Sequence, residues 1–496
     1  MSSRKLIACT GGCSLMLNVL VCIAFFGFAA GPATGQVDFA PPVTYATSTS
    51  PWSLTTGDFN LDGYADIATA GWQLGEVSVH FNDQSGAFGT GIAYDVGETT
   101  AGGCVAADLN NDGWDDIATS NLDWNNVSVL LNNQNGTFAP AVLYPVGSRS
   151  WNVEAGDLNG DGWIDLVASN VLTEDVSVLL NNQNGTFAPA VSYAAEQSTI
   201  DSTIADLDGD TVPDIGVANF SFSSLSVLFN NGNGTFQPRQ KWSAGGGSRG
   251  IVAVDLDRDG DNDLVTANSL DDNITIRLND GFGQFSARFD VPAGTWCYQL
   301  AAPDVDLDAD PDLLVVNNSP AGVTLLKNHG DGNLAPPVFF ETAAAGSATD
   351  IVVADFDRDG RLDFAVSNLS GDSFTARLNT TDFPPVLSQT ALIRGTPATF
   401  TATGARPNEV VYFVYSLAGV APGSVCPGPL GGMCLDLVAP ASLIGSQTAN
   451  AAGTAELTMT VPINAPAVTV WTQATIVRGT GGADSVKTQY IEDQIQ

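Results

Sequence analysis

Asp58, Asn60, Asp62 and Asp66 stand at positions 1, 3, 5 and 9 of the segment DFNLDGYAD. Side chains at alternate positions 1, 3 and 5 converge on one point when the backbone curls around it. Gly63 at position 6 takes a positive φ angle without steric cost. The carbonyl of Tyr64 at position 7 and the carboxylate at position 9 would then complete a shell of hard oxygens. A flexible set of about six such oxygens suits Ca²⁺. The first positions imitate an EF-hand loop, but that loop needs Glu at position 12, where this chain has Thr69, and strand-forming residues flank it. The plainer alternative is an Asp/Asn/Gly turn with no ion.

The pattern returns six times. Positions 1, 3, 5, 7 and 9 are Asp108, Asn110, Asp112, Trp114 and Asp116; then Asp157, Asn159, Asp161, Trp163 and Asp165; then Asp206, Asp208, Asp210, Val212 and Asp214. They continue as Asp255, Asp257, Asp259, Asp261 and Asp263; Asp304, Asp306, Asp308, Asp310 and Asp312; and Asp355, Asp357, Asp359, Arg361 and Asp363. The fourth and sixth loops carry Thr211 and Ala309 at position 6. Neither accepts a positive φ as readily as glycine, so weaker or distorted sites are expected there. The chain has 54 Asp and Glu against 17 Lys and Arg, a formal charge of -37. Such a charge argues against nucleic acid or anionic lipid as a partner. Up to seven Ca²⁺ ions would bring -37 to -23 (adding 14).

The elements that must hold these loops are strands. First aspartates are spaced by 50, 49, 49, 49, 49 and 51 residues, and each unit has four β signals: WNVEAGD, DLVASN, VSVLLN and, after an Asn-Gly turn, TFAPAVSY. Alternating apolar residues, β-branched residues and Asn-Gly turns mark hairpins. Four antiparallel strands per unit, repeated at this period, describe a seven-bladed β-propeller in an all-β chain. A linear solenoid is the alternative. Against it, VDFAPPVTYAT at residues 37–47 matches a fourth-strand segment but precedes the first unit, while the last unit has no clear fourth strand. The N-terminal strand is therefore expected to complete the last blade.

The recurring Asp motif with this blade length resembles the FG-GAP/VCBS repeat family of secreted propellers, related to the integrin α-subunit head, over residues 36–380. The resemblance implies a secreted or cell-surface module that uses Ca²⁺ structurally and binds a protein or carbohydrate.

Residues that break the repeat are the candidates for recognition. Six positions before each first Asp stand Trp52, Gly102, Trp151, Ile200, Arg249, Tyr298 and Thr349, and the loops after the second strand add Trp72 and Trp124. These belong to the face opposite the Asp loops. Exposed aromatics there would suit sugars, peptides or quaternary ammonium groups, and packing between blades is the alternative. Asn121, Asn170, Asn219, Asn268, Asn317 and Asn368 recur after six second strands, which suggests backbone hydrogen bonding. The only two histidines, His80 and His329, read as incidental. No Ser-His-Asp set, zinc cluster or phosphate loop interrupts the symmetry, so an enzyme has no positive support.

At the start, Arg4 and Lys5 precede an apolar run and small residues, which reads as a signal peptide over residues 1–35. Elsewhere no segment is long and apolar enough to cross a bilayer. Cys104 and Cys297 are expected to be buried as small apolar residues, and Cys426 and Cys434 could close a disulfide loop. Residues 381–386 form a linker, and the alternating runs of 387–496 resemble an immunoglobulin-like β-sandwich. Three roles fit this sequence: an adhesion or ligand-binding module, a polysaccharide-active enzyme on the same scaffold, or a structural envelope protein.

Overall fold

The structure, a computed structural model, describes residues 37–47, 50–342 and 347–381, together with the strands between residues 386 and 494. The proposed signal peptide and the Cys426–Cys434 loop lie outside the described residues.

Seven four-stranded antiparallel sheets are arranged around an axis. The first consists of Pro51–Gly57, Asp66–Gly71, Glu76–His80 and Ile92–Asp95, from axis to rim. Its second strand, DIATAG, is buried along its whole length, whereas its fourth strand is largely exposed. That gradient explains the composition. A strand covered by a blade on each face must be apolar and small, and a rim strand need satisfy only one face. The core is divided among the gaps between blades: Phe59, Ala68, Val77 and Val79 of the first blade pack against Ile117 and Leu130 of the second.

The rim has its own fastener. The fourth-strand aromatic of one blade meets the phenylalanine after the next blade's turn in Tyr94–Phe138, Tyr144–Phe187, Tyr193–Phe236 and Trp242–Phe285. All four are edge-to-face, with centroids 5.1–5.3 Å apart, a geometry worth about 0.5–1.5 kcal/mol per pair beyond burial.

The last blade comprises Ala348–Ala354, Asp363–Asn368, Ser373–Arg377 and the N-terminal strand Val43–Ala46. Val43 pairs with Ala376 and Ala46 with Ser373, in antiparallel register. Phe39, buried, stacks edge-on against Phe340 and Phe364, and Tyr45 against Phe88 of the first blade. The expected closure is present, and the solenoid alternative is excluded.

Between residues 386 and 494 all described pairings are antiparallel. Pro397–Thr403 pairs with Val386–Gln389 and Ala455–Thr460. Val410–Ser416 pairs with Ala441–Thr448 and Thr469–Ile476. Phe400 of the first sheet and Phe413 of the second are both buried, with ring centroids 6.5 Å apart.

Candidate functional site: the acidic loops and the axial collar

Every inner strand begins at one end of the axis and delivers its Asp motif at the other. In the first loop the amides of Asp62 and Gly63 donate to the Asp58 carboxylate at 3.1 and 2.8 Å, and the Tyr64 amide donates to Asp62 at 2.9 Å. The curl needs two residues at positive φ, at positions 4 and 6. Position 6 was legible from its glycines. Position 4 was not: Leu61, Asn111, Arg258, Leu307 and Arg358 all take φ between 53° and 63°.

Thr211 and Ala309 keep the same backbone, with φ of 71° and 70°, and their amides make the same bond to position 1 at 2.8 and 2.9 Å. The expected distortion is absent; strain is absorbed instead. A non-glycine residue in this region costs about 1 kcal/mol.

Position 9 has a defined partner set. Asp66, fully buried, accepts the Phe59 amide at 3.1 Å and the Asn82 amide at 2.8 Å. Burial pushes its carboxyl up to about 7 against those bonds, with the Asp62 and Asp58 charges adding to the rise. The same pair of amide bonds recurs at Asp116, Asp165, Asp214, Asp263, Asp312 and Asp363. Asn82 also donates its Nδ2 to the Phe356 carbonyl in the preceding blade at 2.8 Å. Asn132, Asn181, Asn230, Asn279, Asn328 and Asn379 reach the equivalent carbonyls of Phe59, Leu109, Leu158, Leu207, Leu256 and Val305. Seven asparagines thus stitch each loop to its neighbour around the ring.

The other recurring asparagines behave differently from expectation. Asn121, Asn170, Asn268 and Asn368 donate chiefly to side-chain oxygens of the third strand rather than to backbone. Asn219 and Asn317 use Ser226 and Thr324 in the same way, Asn317 adding the Val315 carbonyl.

In four loops, carboxylate oxygens at positions 1, 3 and 5 lie within 4.8 Å of one another: Asp206, Asp208 and Asp210; Asp255, Asp257 and Asp259; Asp304, Asp306 and Asp308; and Asp355, Asp357 and Asp359. Asn110 Oδ1, Asp255 Oδ1 and Asp257 Oδ1 are buried acceptors without a donor among the described residues. Clustered, unsatisfied oxygens fit a hard cation, which would also relieve their mutual repulsion. These loops could therefore hold metal ions. In the sixth, Lys327 pairs with Asp306, and in the seventh Arg361 pairs with Asp359, so native cations already sit beside those carboxylates.

At the opposite end lies a collar. Six inner strands slip register, between Pro51 and Ser53, Ser150 and Asn152, Thr199 and Asp201, Ser248 and Gly250, Cys297 and Leu300, and Ala348 and Ile351. A bulge lets consecutive residues face the same side, so both Trp52 and Ser53, or Ile200 and Asp201, line the axis. Trp52, Trp151, Ile200, Arg249, Tyr298 and Thr349 surround a narrow opening. Trp72 packs on Trp52 and Trp151 at 4.8 and 5.6 Å. Sequence position alone thus brings together Trp52, Trp72, Trp151, Arg249 and Tyr298. Trp124 does not line the opening; its Nε1 donates to Thr99 Oγ1 at 2.9 Å.

Beyond the opening is a cavity of about 300 Å³ that shares Ser53, Asn152, Asp201, Gln299 and Asp350 in its wall and adds Glu154. Gln299 Nε2 and the Ile251 amide donate to Asp201 at 3.1 and 3.0 Å, while Ser53 Oγ donates to Asp350 at 2.6 Å. Asn152 Nδ2 donates to Glu154 at 3.3 Å. Burial, then the neighbouring Asp201 charge, pushes Glu154 up to about 8, and burial pushes Asp201 up to about 7. Sequence reading missed these carboxylates, which lie on inner strands outside the repeated motif.

The remaining titratable candidates are structural. His80 is buried, hydrogen bonded to Gly89 O at 3.0 Å and near Ser78 Oγ at 3.3 Å, and burial holds its pKa low. Cys104 and Cys297 are buried free thiols, both pushed up to about 12 by burial.

Six overlapping stretches, 58–119, 108–168, 159–217, 206–266, 255–315 and 304–366, match the FG-GAP-like repeat, and the chain belongs to that family of β-propellers. Among solved structures, an Agrocybe aegerita lectin that recognises non-reducing terminal N-acetylglucosamine is similar at 20% identity and TM-score 0.42, over 61% of this chain and 81% of its own. A Pseudomonas aeruginosa periplasmic gluconolactonase is similar at 16% identity and TM-score 0.46, over 64% and 88% respectively. No curated protein sequence matches the chain. Among the described residues, no helix is long and apolar enough to cross a membrane.

Proposed function

We propose that this protein is exported through its N-terminal segment and works as a calcium-stabilised propeller that binds an extracellular protein or carbohydrate at the axial collar. The observation that carries the reading is the gathering of Trp52, Trp151, Arg249 and Tyr298, none of them part of the repeat, around one opening, with Trp72 packed against the two tryptophans. Half-buried aromatic rings with a guanidinium among them suit flat, partly polar ligands. Calcium is held by positions 1, 3, 5 and 9 with the position 7 carbonyl, up to seven ions in all, and its role is to neutralise the loops and fix their curl. Residues 387–496 form an immunoglobulin-like module.

Two measurements test this. Removing calcium with EDTA should lower the thermal midpoint, and re-adding calcium but not magnesium should restore it; an unchanged midpoint would sink the calcium role. Glycan and surface-protein arrays probed with the full chain should give hits that Trp151→Ala removes. Binding unaffected by that substitution would place recognition elsewhere.

A second reading, a polysaccharide-active enzyme, draws on one observation. A carboxyl held up to about 8, as at Glu154, keeps its proton at neutral pH and so can act as a general acid. New reducing ends or unsaturated sugars, lost in Glu154→Gln, would favour it over binding alone.

A further inference from the structure

Arg249 lies over the Tyr298 ring at 4.1 Å and beside Phe220 and Trp151 at 5.2 and 6.0 Å. Arg149 approaches Trp151 at 5.9 Å, on its own side of the collar. In each arginine Nε is buried and has no hydrogen-bond partner, and neither forms an ion pair among the described residues. Among the described residues Arg277 and Arg377 also lack a carboxylate but donate to backbone carbonyls, and Arg358 is exposed. Arg239, Lys241, Arg258, Arg288, Lys327 and Arg361 all find a carboxylate. Holding a guanidinium out of water with no anion is unfavourable unless something else supplies one. Aromatic stacking orients both groups but leaves their in-plane N–H donors unspent.

Resting on the carbohydrate arm of the function proposed above, we infer that the collar receives a uronic-acid residue of an acidic polysaccharide, Arg249 supplying a local positive charge against the overall -37 that repels polyanions elsewhere. The sugar ring stacks on the tryptophans, and its carboxylate is held by Arg249, the arginine that lines the opening. A planar guanidinium matches a carboxylate in two parallel hydrogen bonds, which a neutral sugar cannot use. Asp201 and Asp350 line the same opening, and burial raises the pKa of both, which reduces their repulsion of an anion. They lie one residue further along their strands, engaged by Gln299, Ser53 and backbone amides, and they suit sugar hydroxyls. A peptide C-terminal carboxylate would satisfy Arg249 equally, but it would leave the Trp52, Trp72 and Trp151 cluster without a ring to stack on.

The test uses the full chain with calcium and titration calorimetry. Probes are tetragalacturonic acid, tetramannuronic acid, the carboxyl-reduced forms of both, a sulfated neutral tetrasaccharide, and a peptide with a free C-terminus. At least one uronic tetramer should bind, and carboxyl reduction should weaken it by about tenfold or more. Arg249→Gln should cause a similar loss for the acid and a much smaller one for the reduced form. Arg249→Lys, which keeps the charge but not the fork, should recover only part, and the unfolding midpoints of both variants verify that they fold. Equal binding of acidic and reduced tetramers, preference for the sulfated sugar or the peptide, or an indifferent Arg249→Gln would overturn the inference while leaving ligand binding at the collar standing. Failure of every saccharide, acidic or neutral, would remove the carbohydrate arm itself.

Discussion

Thr211 and Ala309 hold the left-handed backbone that five other loops assign to glycine. Replacing either with glycine relieves a clash between Cβ and backbone, at the cost of a more flexible unfolded chain. The expected net gain is on the order of 0.5–1 kcal/mol per site, read as a higher denaturation midpoint; a loss would mean that the threonine or alanine makes a contact worth more than the strain. Glu154 gives a pH-dependent outcome. Its folded pKa is raised to about 8, so the stability it contributes is complete below the unfolded value and is lost as pH rises through about 8. Glu154→Gln should therefore match the parent near pH 4 and exceed it at pH 9, by on the order of a few kcal/mol. A gap independent of pH would exclude an ionisation effect. At this scale the sequence was informative where side chains act locally and silent where they act across space. The spacing of Asp58, Asn60, Asp62 and Asp66 could be read as a curl, but nothing local marks Glu154, Asp201 and Asp350 as neighbours.

The elements explain both the successes and the gaps. Strands and turns were readable because every blade repeats one hairpin chemistry, so seven weak signals reinforce each other. The register slips at Trp52, Trp151, Ile200 and Arg249 were not, since a bulge depends on what the partner strand presses against it. The asparagine that follows each third strand was not singled out from the sequence, and its partner lies 72 residues back, as for Asn181 and Leu109. Its role follows from the ring. Asn181→Ala removes donors to the buried carbonyls of Leu109 and Ile164, and stranding such acceptors costs about 1–3 kcal/mol each. Destabilisation of about 2–4 kcal/mol is expected in chemical denaturation. Asn184→Ala, in the exposed turn nearby, serves as the control. Equal effects would show that the interblade bond carries little.

The whole molecule depends on Val43–Ala46 joining a sheet whose other strands lie more than three hundred residues downstream. Deleting residues 37–47 should lower the thermal midpoint sharply and promote association through the uncovered Ser373–Arg377 edge, because an unpaired edge strand recruits another chain. Adding that segment back as a peptide should reverse both effects; no rescue would mean that the segment stabilises the fold in another way. The period made this closure legible, since a stray fourth strand at the front and a missing one at the back are complementary. The same feature also governs how the chain is made. On a ribosome the segment that seals the ring is among the first of the ring's strands to emerge, and its partner in the last blade is the final propeller strand to follow. Inner blades can assemble in order while the seal waits unpaired, so every interrupted product carries a free strand at one end and an unfinished blade at the other. Completion is thus tested once, at the end of propeller synthesis, by whether the two ends meet.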